Sequence, residues 1–587
     1  MNMSSTKPKV IKNELLIKNG FVYDPLNGIN GEVKDIAVLN GKIVEPSKLS
    51  TNAKVIDAKG KVVMPGGVDV HTHVAGPKVN VGRMYRPEDK LHDPNLESRS
   101  PLLRAGGGFS VPTTFTTAYR YARLGYTTAN EAAMPPLLAR HTHEEIRDTP
   151  IIDQSAFTLL GNNWLAMEYI KKDQQENLDA FVAWMLKATK GYAIKIVNPG
   201  GTEAWGWGKN CTALDDPVPY FDVTPKQIIQ GLAKANENLG LPHSIHLHAN
   251  NLGHPGNYTT TLKTLSLTEG IRTNKSSGRE QNVHLTHAQF NAYGGTTWKD
   301  FESKADELAS YINSHDHLTV DAGFVTLDET TTMTADGPME FGLTSMNHLK
   351  WANLDVELET GSGVVPYIYD PKLHVCGIQW AIGLELALLV KDPMKCMMTT
   401  DHPNAGPFTR YPVVMSWLMS KKARDEKMKT LHKWVPDRTK LAGISREMDL
   451  YDIAMMTRAG PAKCLGMMKE KGHLGVGADA DIAIYDLNPK TTDVTQKPEE
   501  IIRAFSNSAY TIKDGDIVVK DGEVVAIPGS KKTIWTDADG FNNKEVVDDI
   551  VEKFLKYYSV TLNNYPVQDV YLPHSSVVKA GPLAGGN

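Results

Sequence analysis

The stretch Val62-Val63-Met64-Pro65-Gly66-Gly67-Val68-Asp69-Val70-His71-Thr72-His73 runs from an apolar segment into two histidines one residue apart. On a β-strand, residues i and i+2 point to one face, so His71 and His73 present two imidazoles side by side. Such a pair at a strand end either binds a metal or is satisfied within the core. Taken alone, the second reading is the commoner, and the residues around the pair have to decide.

Upstream, residues 14–64 read as short β-branched runs broken by the hairpin dipeptides Asn19-Gly20 and Asn40-Gly41. The same pattern returns in DADIAIYDL and YTIKDGDIVVKDGEVV, with Asp514-Gly515 and Asp521-Gly522 as turns. Between these ends, apolar runs (YAIKIV, HSIHLHA, NVHLTHA, HLTVDAGFV, KCMMTTD) alternate with helical stretches such as DAFVAWMLKATK and TPKQIIQGLAKANENLG. Strand followed by helix, repeated, predicts an α/β fold: a (β/α)8 TIM-like barrel over residues 65–471. Segments 12–64 and 472–528 are expected to meet as a small β-sandwich. Residues 529–587 form a C-terminal extension that opens with an amphipathic helix and ends in the irregular GPLAGGN; it covers the barrel or makes contact with a partner chain. The region RAGGGFSVPTTFTTAYRYARLGYTT is expected to be an active-site loop leading into a strand or helix.

Bulk properties exclude several classes. Lys plus Arg number 63 against 68 for Asp plus Glu, a formal charge of −5 over 587 residues, which argues against a nucleic-acid binder. The longest apolar stretches, such as AIGLELALLV, carry a charge and fall short of the roughly 18 residues of a membrane span. The start, MNMSSTKPKVIKNELL, lacks an apolar leader core, so a cytoplasmic protein is expected. Cys211, Cys376, Cys396 and Cys464 are isolated, which argues against an iron–sulfur cluster held by this chain.

Further candidate ligands stand near the C-terminal ends of later apolar runs: Lys195 in YAIKIVNPGG, His248 in IHLHANN, His287 in HLTHAQF and Asp401 in MMTTDHPN. In HSIHLHA, His246 shares a strand face with His248 and is the alternative; in VHLTHA, His284 is the alternative to His287. His141 and His143 repeat the opening pattern in ARHTHEE without an apolar approach and are read as a solvated helix end. Lys78 and Arg83, on the segment after His73, are candidate partners for a substrate carboxylate.

The order HxH, Lys, His, His, Asp within a barrel flanked by a split sandwich resembles the amidohydrolase superfamily. The run GPAKCLGMMKEKGHLGVGADADIAIYDL is similar to that superfamily's return into the sandwich. Within it, HTHVAGPKVNVGRMYRPEDK, LGYTTANEAAMPPL, GYAIKIVNPGGTEAWGWG, IHLHANNLGHPGN and LTHAQFNAYGG resemble the A subunits of formylmethanofuran dehydrogenases.

The resemblance implies a dinuclear zinc centre. His71 and His73 would hold one ion, His248 and His287 the other, and Lys195 would bridge them as N6-carboxylysine. A plain lysine ammonium has no lone pair to offer, so the bridge requires the carbamate. Asp401 would serve as ligand and general acid/base. The implied reaction is reversible condensation of formate with methanofuran to N-formylmethanofuran, within a complex that reduces carbon dioxide in methanogenesis. A tungsto- or molybdopterin subunit, together with iron–sulfur subunits, would supply the redox half, since nothing in this chain resembles either site. Three alternatives stay open: the corresponding chain of a formyltransferase/hydrolase complex, a stand-alone cyclic-amide hydrolase, and a scaffold without activity.

Overall fold

The computed structural model describes residues 13–91, 93, 100–104, 106–348, 350–353 and 363–581. The expected start of the sandwich at residue 12 and the tail 582–587 lie outside the described residues. Eight parallel strands form the central sheet: β1 (Gly67–Thr72), β2 (Tyr126–Met134), β3 (Asp153–Leu159), β4 (Ala193–Val197), β5 (Ile245–His248), β6 (Val283–Leu285), β7 (Leu318–Asp321) and β8 (Cys396–Met397). They pair in sequence order. A parallel bridge from Thr72 to His402, with His73 N donating to His402 O at 2.6 Å, brings the ends together and nearly closes the barrel.

The apolar runs form strands because their alternation suits two unlike faces. On β4, Ile194 and Ile196 pack outward into the core beneath the helices while Lys195 points inward. The intervening helices carry local start and stop signals. Helix Pro225–Leu239 begins with a Thr224/Gln227 capping box and proline in its first turn, and ends at Gly240 in the left-handed conformation.

The two termini build a nine-stranded, mostly antiparallel sheet, joined where Val62–Pro65 pairs with Ile482–Tyr485. Ile43 exchanges backbone hydrogen bonds with Gly477 and Ala478, so the sheet curls back on itself around Leu15, Ile17, Val38, Ile43, Ile482 and Ile512. The sandwich expected from the sequence is thus one curled sheet.

The C-terminal extension is woven into the barrel. Strand Thr533–Asp537 pairs with the first residues of β3, and Thr536 N donates to Gly191 O at 3.0 Å just before β4. Helix Lys544–Tyr557 lays Val546, Ile550 and Phe554 against helices Trp164–Lys171 and Gln175–Thr189. At this base of the barrel, Lys471 and Lys513 are buried among Asp153, Asp479, Asp481 and Asp514. Lys532 of the extension joins through Asp479 at 2.8 Å. One charge network therefore ties barrel, terminal sheet and extension.

Between β7 and β8 lies an insertion that the sequence reading did not anticipate. Strands Glu329–Thr334, Ala352–Asn353 and Gly363–Ile368 form a small antiparallel sheet with helix Gly337–Asn347 beside it. It roofs the C-terminal face of the barrel, where α/β barrels carry their chemistry. Among the described residues, no helix is long and apolar enough to cross a membrane.

Candidate metal centre

All six predicted ligands line one cavity at that face: His71, His73, Lys195, His248, His287 and Asp401. His71 lies on β1 and His73 just after it; Lys195 is mid-strand on β4, opposite His246 in the β5 register. His248 ends β5. His287 follows β6 with φ 39°, and Asp401 follows β8 with φ 49°, so two ligands leave their strands through left-handed residues that turn the side chains inward.

Nε2 of His71 and Nε2 of His73 are 3.4 Å apart. Asp401 Oδ1 lies 2.9 Å from the first and 3.3 Å from the second. Ligands held at 2.0–2.1 Å around a tetrahedral ion are separated by about 3.3 Å, so these three atoms already have the edge lengths of a coordination face. Ligand atoms of His71, His287 and Asp401 also fall within 4.8 Å of one another, and the His248 and His287 rings are 4.7 Å apart. One carboxylate and one imidazole thus serve a continuous cluster. Lys195 Nζ and His287 Nδ1 are buried with no hydrogen-bond partner among the described residues. Buried polar atoms are rarely orphaned, and these two sit where a carbamate and a metal would engage them.

At His71, His287, Asp401 and Lys195 the electrostatics favour the deprotonated form, whereas at His73 burial is outweighed by hydrogen bonds to Asp401 and Glu131, which raise the imidazole above its ordinary value. Burial, reinforced by the Lys195 charge, pulls His71 down to about 4. Burial likewise holds His287 well below the ordinary imidazole range. Burial favours a neutral Asp401, but the adjacent His71 and His287 outweigh it and keep the carboxyl well below its usual value. Burial lowers Lys195 to about 7 against the pull of Asp401 and Asp321.

The sequence matches the model of the amidohydrolase family over residues 54–519. The chain belongs to the amidohydrolase family. This amidohydrolase is 59% identical over 571 residues to Protein FwdA of Methanocaldococcus jannaschii, covering 96% of this chain and 99% of that one. It is 35% identical over 568 residues to the A subunit of the formyltransferase/hydrolase complex Fhc of Methylorubrum extorquens, covering 95% and 97%. The solved formyltransferase/hydrolase complex FhcABCD of that organism, in complex with methylofuran, contains a chain that superposes with a TM-score of 0.87. That match covers 97% of this chain and 100% of that chain, at 34% identity. Within the family, the chain therefore falls with the formylmethanofuran dehydrogenase A subunits and their Fhc counterparts.

Around the ligands, the amidohydrolase carries partners that the sequence reading missed. Glu131 on β2 places Oε1 3.1 Å from His73 Nδ1, while its Oε2 accepts from the backbone of Val74 and Ala75. Asp336 in the roof accepts from His248 Nε2 at 3.0 Å and is itself held by Asn198 and the amide of Met339. Asn404 Nδ2 donates to both oxygens of Asp401 at 3.0 Å. Such partners set the tautomer and orientation of metal-binding side chains. Within β1, buried Asp69 accepts from the hydroxyls of Tyr121 and Tyr411 and from the His71 amide, fixing the strand end. A carboxylate inside an apolar strand, as Glu131 is in TTANEAAM, was the available signal.

Other expectations fare differently. His246 and His284 lie in the barrel interior below the cavity and do not line it. Lys78, on helix Pro77–Tyr85, is not among the residues that line the cavity; it is buried with its Nζ unpartnered among the described residues, and burial lowers it to about 8. Arg83 does not line the cavity: its guanidinium is spent on Glu145 and the carbonyls of Pro112 and Val74. The Gly-rich region after Arg104 packs Val111 against Val79, Met333 and Val364 and supplies none of the cavity lining. The solvated reading of His141 and His143 needs correction: His141 is half-buried, but His143 is wholly buried and bonded to Thr189 O at 2.9 Å. Helix Ala139–Asp148 turns Ala139, Thr142, His143 and Ile146 to the core, so helical spacing places only one of the pair outside.

The cavity opens beside a second, mostly apolar chamber with which it shares Leu252, Phe290, Met339 and Tyr369. Trp298, Tyr367, His254 and Gln379 are among its other walls. A polar reaction centre and an aromatic vestibule therefore adjoin.

Proposed function

We propose that this chain is the formyl-handling subunit of a formylmethanofuran dehydrogenase, joining formate to the amine of methanofuran and cleaving N-formylmethanofuran in the reverse direction at a dinuclear zinc centre. The observation that carries the reading is the convergence on one cavity of four imidazoles, a carboxylate and a buried lysine that has no hydrogen-bond partner among the described residues. Higher identity to FwdA than to the Fhc chain favours this reading over the formyltransferase/hydrolase.

His71 and His73 would hold one ion, His248 and His287 the other, with Lys195, as N6-carboxylysine, bridging them and Asp401 completing the set. When bound, the ions supply Lewis acidity that polarises the formyl carbonyl and lowers the pKa of water toward about 7. Asp401, as the ionised carboxylate, takes a proton from the attacking water and delivers it to the leaving nitrogen; in condensation the same carboxyl runs the steps backwards. Asn404 holds that carboxylate in place. Lys78, a buried cation without a hydrogen-bond partner among the described residues, whose charge reaches Lys195, is assigned to the formate carboxylate. The aromatic vestibule takes the tail of the amine and keeps bulk water from the reacting carbon. Formate supply falls to partner subunits carrying the tungsto- or molybdopterin and iron–sulfur groups; that a chain of this kind works in a multisubunit assembly is supported by the FhcABCD complex of its relative.

The purified chain with N-formylmethanofuran should release formate and contain about two zinc ions per chain, as a dinuclear centre requires. Lys195→Ala and Asp401→Asn should abolish that turnover. Hydrolysis of dihydroorotate or a hydantoin, with none of N-formylmethanofuran, would overturn the reading.

A further inference from the structure

Beneath the cavity, the barrel interior holds a second layer of imidazoles that the chemistry above leaves unused. Nε2 of His246 lies 2.8 Å from Nδ1 of His71. Nδ1 of His246 lies 3.0 Å from Nε2 of His243. Nδ1 of His243 in turn lies 2.8 Å from the carbonyl oxygen of Cys464. All three rings are buried at 0% exposure, so water cannot substitute for any of these contacts.

Where the protons sit follows from counting. A carbonyl oxygen only accepts, so His243 Nδ1 must carry a proton. Each of the two short nitrogen–nitrogen contacts, at 2.8 and 3.0 Å too close to flank a shared ion, holds a single proton, because none leaves two lone pairs face to face and two make the hydrogens collide. Three neutral imidazoles own three ring protons, and the carbonyl contact and two nitrogen–nitrogen contacts take all of them. The Nε2 of His71 is left bare. That atom is the one 2.9 Å from Asp401 Oδ1 and 3.4 Å from His73 Nε2, on the metal side of the ring. The other groups near His71 Nδ1 are the Thr286 hydroxyl and, at 3.7 Å, the Asp321 carboxylate; both can accept from an N–H there. Near His243 Nδ1, Cys464 Sγ at 3.8 Å is a further weak acceptor.

We propose that His243 and His246 are positioning residues for the metal centre: anchored on the Cys464 carbonyl, they lock His71 in its Nδ1–H tautomer so that a bare Nε2 faces the site. The proposal rests on the metal reading above. It explains why two imidazoles occupy a barrel interior where leucine or valine would pack without any polar cost.

The test uses the full chain, stripped with a chelator and titrated with zinc against a chromophoric competitor, so that binding is read without turnover. His246→Leu removes the acceptor for His71 and should weaken zinc binding about 10- to 100-fold, the usual effect of losing an outer partner of a ligand. His246→Gln puts its Oε1 where Nε2 stood and should restore affinity to within about threefold of wild type, which a merely packing role would not. His243→Leu, which touches no ligand, should give a smaller loss in the same direction. If His246→Leu fails to fold, judged by melting of the stripped protein, His246→Asn takes its place. Its shorter amide reaches the Nδ1 position but not His71, and it must bind zinc more weakly than His246→Gln. Equal affinity in wild type and His246→Leu, or no difference between the Gln and Leu or Asn variants, would overturn the relay alone. A wild-type chain that took up no zinc would instead overturn the metal reading beneath it.

Discussion

The ε-amine of Lys195 is enclosed by imidazoles and apolar side chains, and the loss of water brings its pKa to about 7. A neutral amine attacks carbon dioxide and releases one proton as the carbamate forms; an ammonium cannot. The sign of the pH dependence follows: the reactive fraction grows as pH rises through about 7 and then levels. With dissolved carbon dioxide held constant, the initial rate of ¹³C incorporation from labelled bicarbonate, followed by ¹³C NMR as zinc is restored, should rise steeply below that pH and flatten above it. Lys195→Ala should incorporate none. Glu131 belongs to the same scale. Its Oε1 accepts from His73 Nδ1 at 3.1 Å, so that in the proposed metal-bound form Nε2 would be free to face Asp401. Glu131→Gln keeps the shape but can turn its amide donor toward the ring, and zinc affinity measured by chelator competition should drop about 10- to 100-fold.

At the scale of elements, the ligands depend on how the strands end. Gly323, just past β7, has φ +66°, and a Cβ there would sit 2.5 Å from the His287 Cβ and 2.7 Å from its Cα. Gly323→Ala must therefore push His287 out of the cavity, since it meets backbone as well as side chain. Its expected signature is a loss of about half the bound zinc with the β1 pair still occupied, measured by metal analysis after gel filtration. What could be read in advance follows the same physics. A polar residue at the end of an apolar run is conspicuous, so His71, His73, Lys195, His248, His287 and Asp401 stand out one strand at a time. His248 over His246 is a question of depth in the barrel, because both share a face, and strand periodicity carries no depth. Glu131 and Asp336 are invisible for another reason: their partners lie 58 and 88 residues away, and nothing local distinguishes a carboxylate that orients a ligand from one that is merely buried. The roof between β7 and β8 follows from long-range pairing in the same way.

At the scale of the whole molecule, the barrel, the terminal sheet and the C-terminal extension meet at the cluster of Lys471 and Lys513 with Asp153, Asp479, Asp481 and Asp514. The sequence reading separates these regions at residues 471–472 and 528–529, and the cluster shows why those boundaries are not mechanical ones: Lys471 alone contacts Asp153 of β3 and Asp479 and Asp481 of the return into the sheet. Burial opposes charge here, yet Lys471 and Lys513 hold Asp481 down to about 2. A carboxyl depressed on folding adds stability that is complete above its unfolded value near 4 and is lost as pH falls through the folded value. Wild-type stability should thus erode as pH drops from about 4 toward 2, all three regions weakening together. Lys471→Met strands buried carboxylates without their cation, at a cost of about 3–5 kcal/mol near neutral pH. Its urea midpoint should lie far below wild type near neutral pH, and the gap should close as acid neutralises the stranded groups. A variant as stable as wild type near neutral pH would mean that Lys513 and Lys532 alone balance the cluster, and that Lys471 is no joint between the barrel and its appended sheet.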